Sequence, residues 1–152
     1  MTQIPTIALL DWAHAKALAQ PIRTTVFVTE QGVPVDLEWD EWDELSLHAI
    51  GRIGTQVVGT GRLLPVDMDG SMRIGRMAVL RQSRGQGVGA AILEALLSRA
   101  HGQGAREAVL HAQSYAAAFY RRFGFRERGG EFFEAGISHV EMALPLNALS
   151  KA

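Results

Sequence analysis

The sequence contains no cysteine, which removes disulfides, thiolate zinc sites, iron–sulfur ligation and a cysteine nucleophile together. It also lacks any apolar stretch near the ~18 residues of a membrane span. No basic segment leads into an apolar one at the N-terminus, because Asp11 and His14 interrupt the run Ile7–Leu10 early. Repeats, low-complexity tracts and Pro/Ser-rich linkers are missing as well. The five histidines, at positions 14, 48, 101, 111 and 139, show no metal-ligand spacing. A Gly-x-Ser-x-Gly hydrolase elbow is absent. These absences predict a cytoplasmic protein without metal or membrane association.

What is present fits one domain over residues 1–152, since 152 residues with 47% hydrophobic content bury a sufficient core unaided. The formal net charge of −1 argues against a nucleic-acid partner. That near-zero value hides an asymmetry. Residues 1–70 carry 10 acids and 4 bases, whereas residues 71–152 carry 6 acids and 11 bases, ten of them arginine. Arginine's planar fork suits phosphate, so the split predicts an anionic ligand at one end and a cationic one at the other.

Apolar periodicity predicts a first strand at Thr6–Leu10, then a helical stripe of Leu18, Ile22 and Val26 that restarts or kinks at Pro21. Strands are expected at Leu45–Ile53 and Val57–Leu64, with a hairpin turn at Asp67–Gly70. In Met72–Leu80 the pairs Met72/Ile74 and Met77/Val79 are out of phase by one residue. Burying both pairs requires an extra residue, so a β-bulge is expected at Gly75–Arg76. Val88, Ala91, Ile92, Ala95 and Leu96 mark a helix ending near Gly102–Gly104, followed by a short strand at Ala108–Leu110. Ser114 is an expected N-cap for a helix carrying Tyr115, Phe119 and Phe123, with Gly124 as its stop. Strands near Phe125–Arg128 and Ile137–Leu144 close the chain. The sum is a mixed α/β sheet with helices on both faces.

Arg84-Gly85-Gln86-Gly87-Val88-Gly89 lies between an expected strand and an expected helix. Its glycines clear side chains away so that consecutive N–H groups face a ligand, and the helix adds its positive end. Phosphate binding is the direct reading. The dinucleotide fingerprint fits poorly, because the next strand ends in Leu110-His111 rather than an acid. No Gly-Lys-Ser/Thr is present for a Walker loop, and no metal-binding acids follow for a kinase-type loop.

The same residues match R-x-x-G-x-G/A, and here the chain resembles the GNAT superfamily of N-acetyltransferases. Ala117-Ala118-Phe119-Tyr120-Arg121-Arg122-Phe123-Gly124-Phe125 matches that family's A-x-x-Y-x-x-x-G-F element. Residues 26–34 and Gly136-Ile137-Ser138-His139 are similar to its ElaA-like subgroup. The resemblance implies a mostly antiparallel sheet with a bulged central strand, acetyl-CoA as co-substrate, and transfer to a small-molecule or peptide amine. The alternative is a CoA- or nucleotide-responsive module without turnover. A homodimer is compatible with either. By this resemblance the backbone of Met77, Ala78 and Val79 pairs with the pantetheine arm, while Arg84, Gly85, Gln86, Gly87, Val88 and Gly89 cradle the pyrophosphate. Gln113 stands where members often carry a cofactor-contacting Asn, and Arg76 stands where some place a catalytic Glu.

Tyr120 falls about 100° off the Tyr115–Phe119–Phe123 stripe, and the resemblance makes it general acid toward the departing thiolate. An amine with a pKa near ~10.4 is only about 0.04% neutral at pH 7, a handicap of roughly 4.6 kcal/mol. A base is therefore expected, with Glu30 and His111 as candidates beside His48, Glu134 and His139. Six acids within residues 36–44, interleaved with Trp39 and Trp42, must face water or a cation. They predict an acceptor mouth that draws a protonated amine.

Overall fold

A computed structural model describes residues 3–146; the two outermost ends of the expected 1–152 domain lie outside the described residues. Strand β1 (Thr6–Leu10) leads into α1 (Trp12–Arg23), whose N-cap Asp11 accepts a hydrogen bond from the His14 amide at 3.1 Å. The helix does not break at Pro21. It runs on to Arg23 and then widens into a π-helical segment, Thr24–Glu30. Two single turns follow, α2 (Val35–Glu38) and α3 (Trp42–Leu45). The meander β2 (Leu47–Ile53), β3 (Gln56–Leu63) and β4 (Ser71–Val79) comes next, then α4 (Val88–Gly102) and β5 (Glu107–Gln113). The chain continues with α5 (Ala117–Arg121), β6 (Arg126–Glu127), β7 (Phe132–Glu134) and β8 (Ile137–Pro145).

The eight strands form one sheet in the order β1-β2-β3-β4-β5-β8-β6, with β7 also paired to β8. Only β4 and β5 run parallel; the other ladders are antiparallel. Neighbouring residues on β2 show the two covered faces. Ala49 packs into the α4 cluster with Ile92 and Leu96, while Ile50 packs against Ala15 and Ala19 of α1. Close approach of α4 depends on glycine: a Cβ on Gly59 would lie 2.9 Å from Val88, and one on Gly61 2.8 Å from the Met77 sulfur.

The expected bulge is present. Thr60 pairs with Ala78, but Arg62 pairs with Gly75, so β4 holds one residue more than β3. Arg76 takes up the extra length at φ +51°. A bulge sharpens local twist, and the parallel β4·β5 ladder ends at that level, at Ile74 opposite Leu110. Beyond it β4 stays paired to β3 and β5 to β8, while the two strands part from each other. The result is a cleft through the middle of the sheet.

Candidate active site

The cleft opens into a cavity of about 610 Å³, lined on one side by Gly75, Met77, Ala78 and Val79 and on the other by Leu110, His111 and Gln113. Next to Arg84, which lines one end of this cavity, Gly85 and Gly87 sit at φ +79° and +84°, and a Cβ on either would meet nothing within 4 Å. Gly87 is the N-cap of the 15-residue α4, with no side-chain cap. The first amides of that helix therefore point at open space with the positive end of the dipole behind them. Val88 contributes only backbone here, because its side chain is buried in the core. Arg84 donates from Nε to the Val79 carbonyl at 2.9 Å and from both terminal nitrogens to Glu30 at 2.8 and 3.0 Å. That pair of hydrogen bonds from Arg84 holds the Glu30 carboxyl pKa below its ordinary value, which makes Glu30 a weak base and an orienter of Arg84.

Gln113 lies across the cleft from Gln31 and donates to its side-chain oxygen at 2.7 Å. Gln31 follows the π-helical segment, and nothing in its local sequence signals this contact.

The aromatic stripe differs from expectation. Ser114–Ala116 forms a tighter 3₁₀ turn before α5, so the phase counted from Tyr115 is lost. Tyr115 is 76% exposed, whereas Phe119, Tyr120 and Phe123 pack against the core. Ser114 caps no helix; its hydroxyl bonds Ser138 at 2.7 Å and Glu131 at 3.2 Å. The Tyr120 ring lies edge-on to Phe119 and Phe125, and burial pushes its hydroxyl pKa up to about 12. Tyr120 nevertheless lines the cavity, and its hydroxyl has no hydrogen-bond partner among the described residues. It stays protonated at neutral pH and free to donate.

The acidic run is also different from a solvated, cation-seeking surface. Glu38 and Asp43 are buried at 3% exposure beside Arg23 at 1% and Arg62 at 6%. Arg23 donates to Glu38 at 2.7 Å and Asp43 at 2.6 Å, and stacks on Trp39 at 4.7 Å. Arg62 donates to Asp40 at 2.7 and 2.9 Å and to Asp43 at 2.9 Å. Arg76, from the bulge, pairs with Glu38 and Asp40 at 3.2 Å each. Three arginines far apart in sequence thus neutralise the three inward acids and strap α2 and α3 onto the sheet as a wall of the cavity. This arrangement removes the argument for an acceptor drawn by Asp40 and Asp43. Sequence reading missed it because a charge run shows its charges but not their partners.

His48 lies under Trp12 with Nε2 on the Asp43 carbonyl at 2.8 Å, and burial lowers its pKa; it does not line the cavity. His111, Glu134 and His139 do. Among the described residues no helix is long and apolar enough to cross a membrane.

A split sheet, a bare glycine loop at the start of a helix beside the split, and a half-buried tyrosine on its rim form a frame that fits an acyltransferase, and comparison with known proteins identifies the family. Residues 14–146 match the family model described as "Acetyltransferase (GNAT) domain". The chain belongs to this family, whose enzymes transfer acyl groups from acyl-CoA to amine acceptors. A Bacillus subtilis relative, the uncharacterized N-acetyltransferase YjcF, is 39% identical over 122 residues, covering 80% of this chain and 86% of its own. An acyl-CoA N-acyltransferase from Pseudomonas aeruginosa superposes with a TM-score of 0.80 at 31% identity, covering 92% of this chain and 99% of that one. Escherichia coli ElaA gives 0.81 at 26% identity over the same shares.

Proposed function

We propose that this protein transfers the acetyl group of acetyl-CoA to a primary amine by direct attack of the amine on the thioester. The observation that carries the reading is the open glycine loop Gly85–Gly89 at the uncapped start of α4, immediately beside the strands that part after Ile74. The loop amides and Arg84 would hold the pyrophosphate, a dianion suited to a helix N-terminus. The free backbone edge of Met77–Val79 would pair with the amides of the pantetheine arm, and Gln113 would meet it from β5. This lays the thioester against the cavity that Tyr120 lines.

Tyr120 then donates to the sulfur as the carbon–sulfur bond breaks. With a hydroxyl at about 12 and a thiol near ~8.5, full transfer from tyrosine alone is uphill. The proton shed by the attacking nitrogen refills the tyrosine and balances the step. The acceptor is a small-molecule amine or an exposed lysine or N-terminal amine of a peptide. The test is thiol release from acetyl-CoA across a panel of amines. Release above hydrolysis with at least one amine supports the reading. Tight acetyl-CoA binding with no release from any amine would point instead to a CoA-responsive module without turnover.

A further inference from the structure

The face of β5 and β8 opposite α4 carries a chain of charged side chains that α1 does not cover. Ser71 donates to Glu107 at 2.7 Å, and Arg128 bridges Glu107 at 3.3 Å to Glu141 at 2.9 Å. The second oxygen of Glu141 lies 3.3 Å from Nε2 of His111, and Nδ1 of His111 lies 2.8 Å from Glu134. The other Glu134 oxygen is 3.9 Å from Nε2 of His139, whose Nδ1 donates to the Ile137 carbonyl at 2.7 Å. Glu134 is placed there by the turn Ala135-Gly136, at φ +50° and +75°, which folds β7 back on β8 with Glu134 opposite Ile137.

His111 is the first residue of β5 beyond the last parallel pair, Ile74 and Leu110, so it stands where the cleft begins. Its two nitrogens are not equivalent. Burial works against ionised Glu141, but hydrogen bonds from Arg128 and His111 outweigh it and keep the carboxylate charged. Glu141 therefore accepts from Nε2–H. In the neutral ring Nδ1 is then the nitrogen without a proton, and the proton it takes up enters the 2.8 Å hydrogen bond to Glu134 on the cavity side. Glu134 itself is half-exposed and faces two histidines, with no arginine or lysine paired to it among the described residues. Of the three carboxylates that line the cavity, Glu38, Asp40 and Glu134, it is the one without an arginine partner among the described residues.

We propose that Glu134 and His111 form the acceptor subsite of the transfer reaction, resting on the acetyltransferase reading above: Glu134 binds the incoming ammonium and His111 Nδ1 removes its proton. Glu141 and Arg128 are positioning residues that fix the ring and its tautomer through Nε2. The ammonium gives one proton to Nδ1, and the neutral nitrogen forms its bond to the thioester carbon as the carbon–sulfur bond breaks. Its second proton replaces the one Tyr120 gives to sulfur, and His111 returns the first to water. The substrate class is a cationic primary amine that enters from the β7 side.

Other charged or titratable groups on this side are Arg128 after β6, held to the ring through Glu141, and His139 on β8, Tyr115 before α5, and Arg73 and Arg76 on β4, which line the same cavity as His111. None but Glu134 and Glu141 bonds the ring. The pair predicts opposite displacements. In Glu141→Gln the imidazolium loses a facing anion, so the acid limb of kcat/KM moves to lower pH by about one unit. In Arg128→Met the charge on Glu141 is less compensated, so the limb moves to higher pH. His111→Gln removes the limb and lowers kcat by about 10²–10⁴-fold, and Glu134→Gln raises KM for a cationic amine. Acetyl-CoA affinity by calorimetry stays unchanged in all four.

The same opposite displacement is read without any acceptor in the imidazole resonances of His111 during an NMR titration of the full chain. Displacements of one sign, or none, would overturn the subsite. Opposite displacements with no turnover on any amine would leave the subsite geometry standing and count against the acetyltransferase reading.

Discussion

Replacing Asp43 with Asn should destabilise the protein by about 3 kcal/mol or more. Its carboxylate is 3% exposed and accepts hydrogen bonds from Arg23 at 2.6 and 3.3 Å and from Arg62 at 2.9 Å. Asparagine keeps the shape but removes the charge, leaving three arginines against two carboxylates. Removing one partner of a buried ion pair costs about 3–5 kcal/mol. Asp40 and Arg76 still reach solvent at about 30% side-chain exposure, so part of the surplus charge relaxes and the lower end applies. Arg62 has least in reserve, because its Nε has no hydrogen-bond partner among the described residues. For a chain of this size each kcal/mol lowers Tm by roughly 2–4 °C, which gives a fall of about 6–12 °C. Urea unfolding followed by circular dichroism would report the loss as a lower midpoint at unchanged slope. Glu41→Gln and Glu44→Gln, both exposed, serve as controls and should stay within about 0.5 kcal/mol. An Asp43→Asn protein within 1 kcal/mol of wild type would refute the reasoning, since the acids would then be a solvated loop after all.

Three further outcomes are expected. Tyr120→Phe should hold acetyl-CoA affinity while kcat falls by about 10²-fold, measured as thiol release; unchanged kcat would mean that water protonates the thiolate. Gly87→Ala puts a methyl group into the open space above α4 at φ +84° and should weaken acetyl-CoA binding in calorimetry, with a stability cost of about 1–2 kcal/mol. Equal affinity in the folded variant would remove the loop from the site. Gly61→Ala should cost about 1–3 kcal/mol through overpacking, because its Cβ would lie 2.8 Å from Met77 and 3.0 Å from Ile92; a thermal melt at the wild-type midpoint would contradict that.

Periodicity located elements whose side chains alternate between a covered and an open environment. Strand β1 showed instead as a short apolar run and the turn at Asp67–Gly70 through its residue types, while the phase slip at Gly75–Arg76 marked the bulge because both flanking pairs pack on the core. The reading failed where local geometry departs from a regular helix. Pro21 suggested a restart or kink, whereas α1 runs through it to Arg23 and widens into the π-helical segment only afterwards, and the 3₁₀ turn at Ser114–Ala116 exchanged the environments of Tyr115 and Tyr120. Strand β7 is too short to show a period, although the Ala135-Gly136 turn was a signal. For the site, the glycine loop was legible because glycine spacing is itself the message. The side-chain partners of Glu30, Gln113 and Asp43 were not, since each lies 19 or more residues away.

The seam where β4 leaves β5 has a thermodynamic consequence. Residues 75–79 and 111–113 keep one neighbour strand each and lose the other, so the sheet carries two unfinished edges in its interior. At a sheet's rim such edges invite another chain; here they line the two sides of the cavity, where only something as thin as a single extended chain can lie between them. On the proposed reading, a co-substrate whose amides stitch the two edges together would bind the folded state alone, and at a hundredfold excess over Kd that would add about 2.7 kcal/mol to stability. The protein's thermal endurance then rises and falls with the supply of the molecule it consumes.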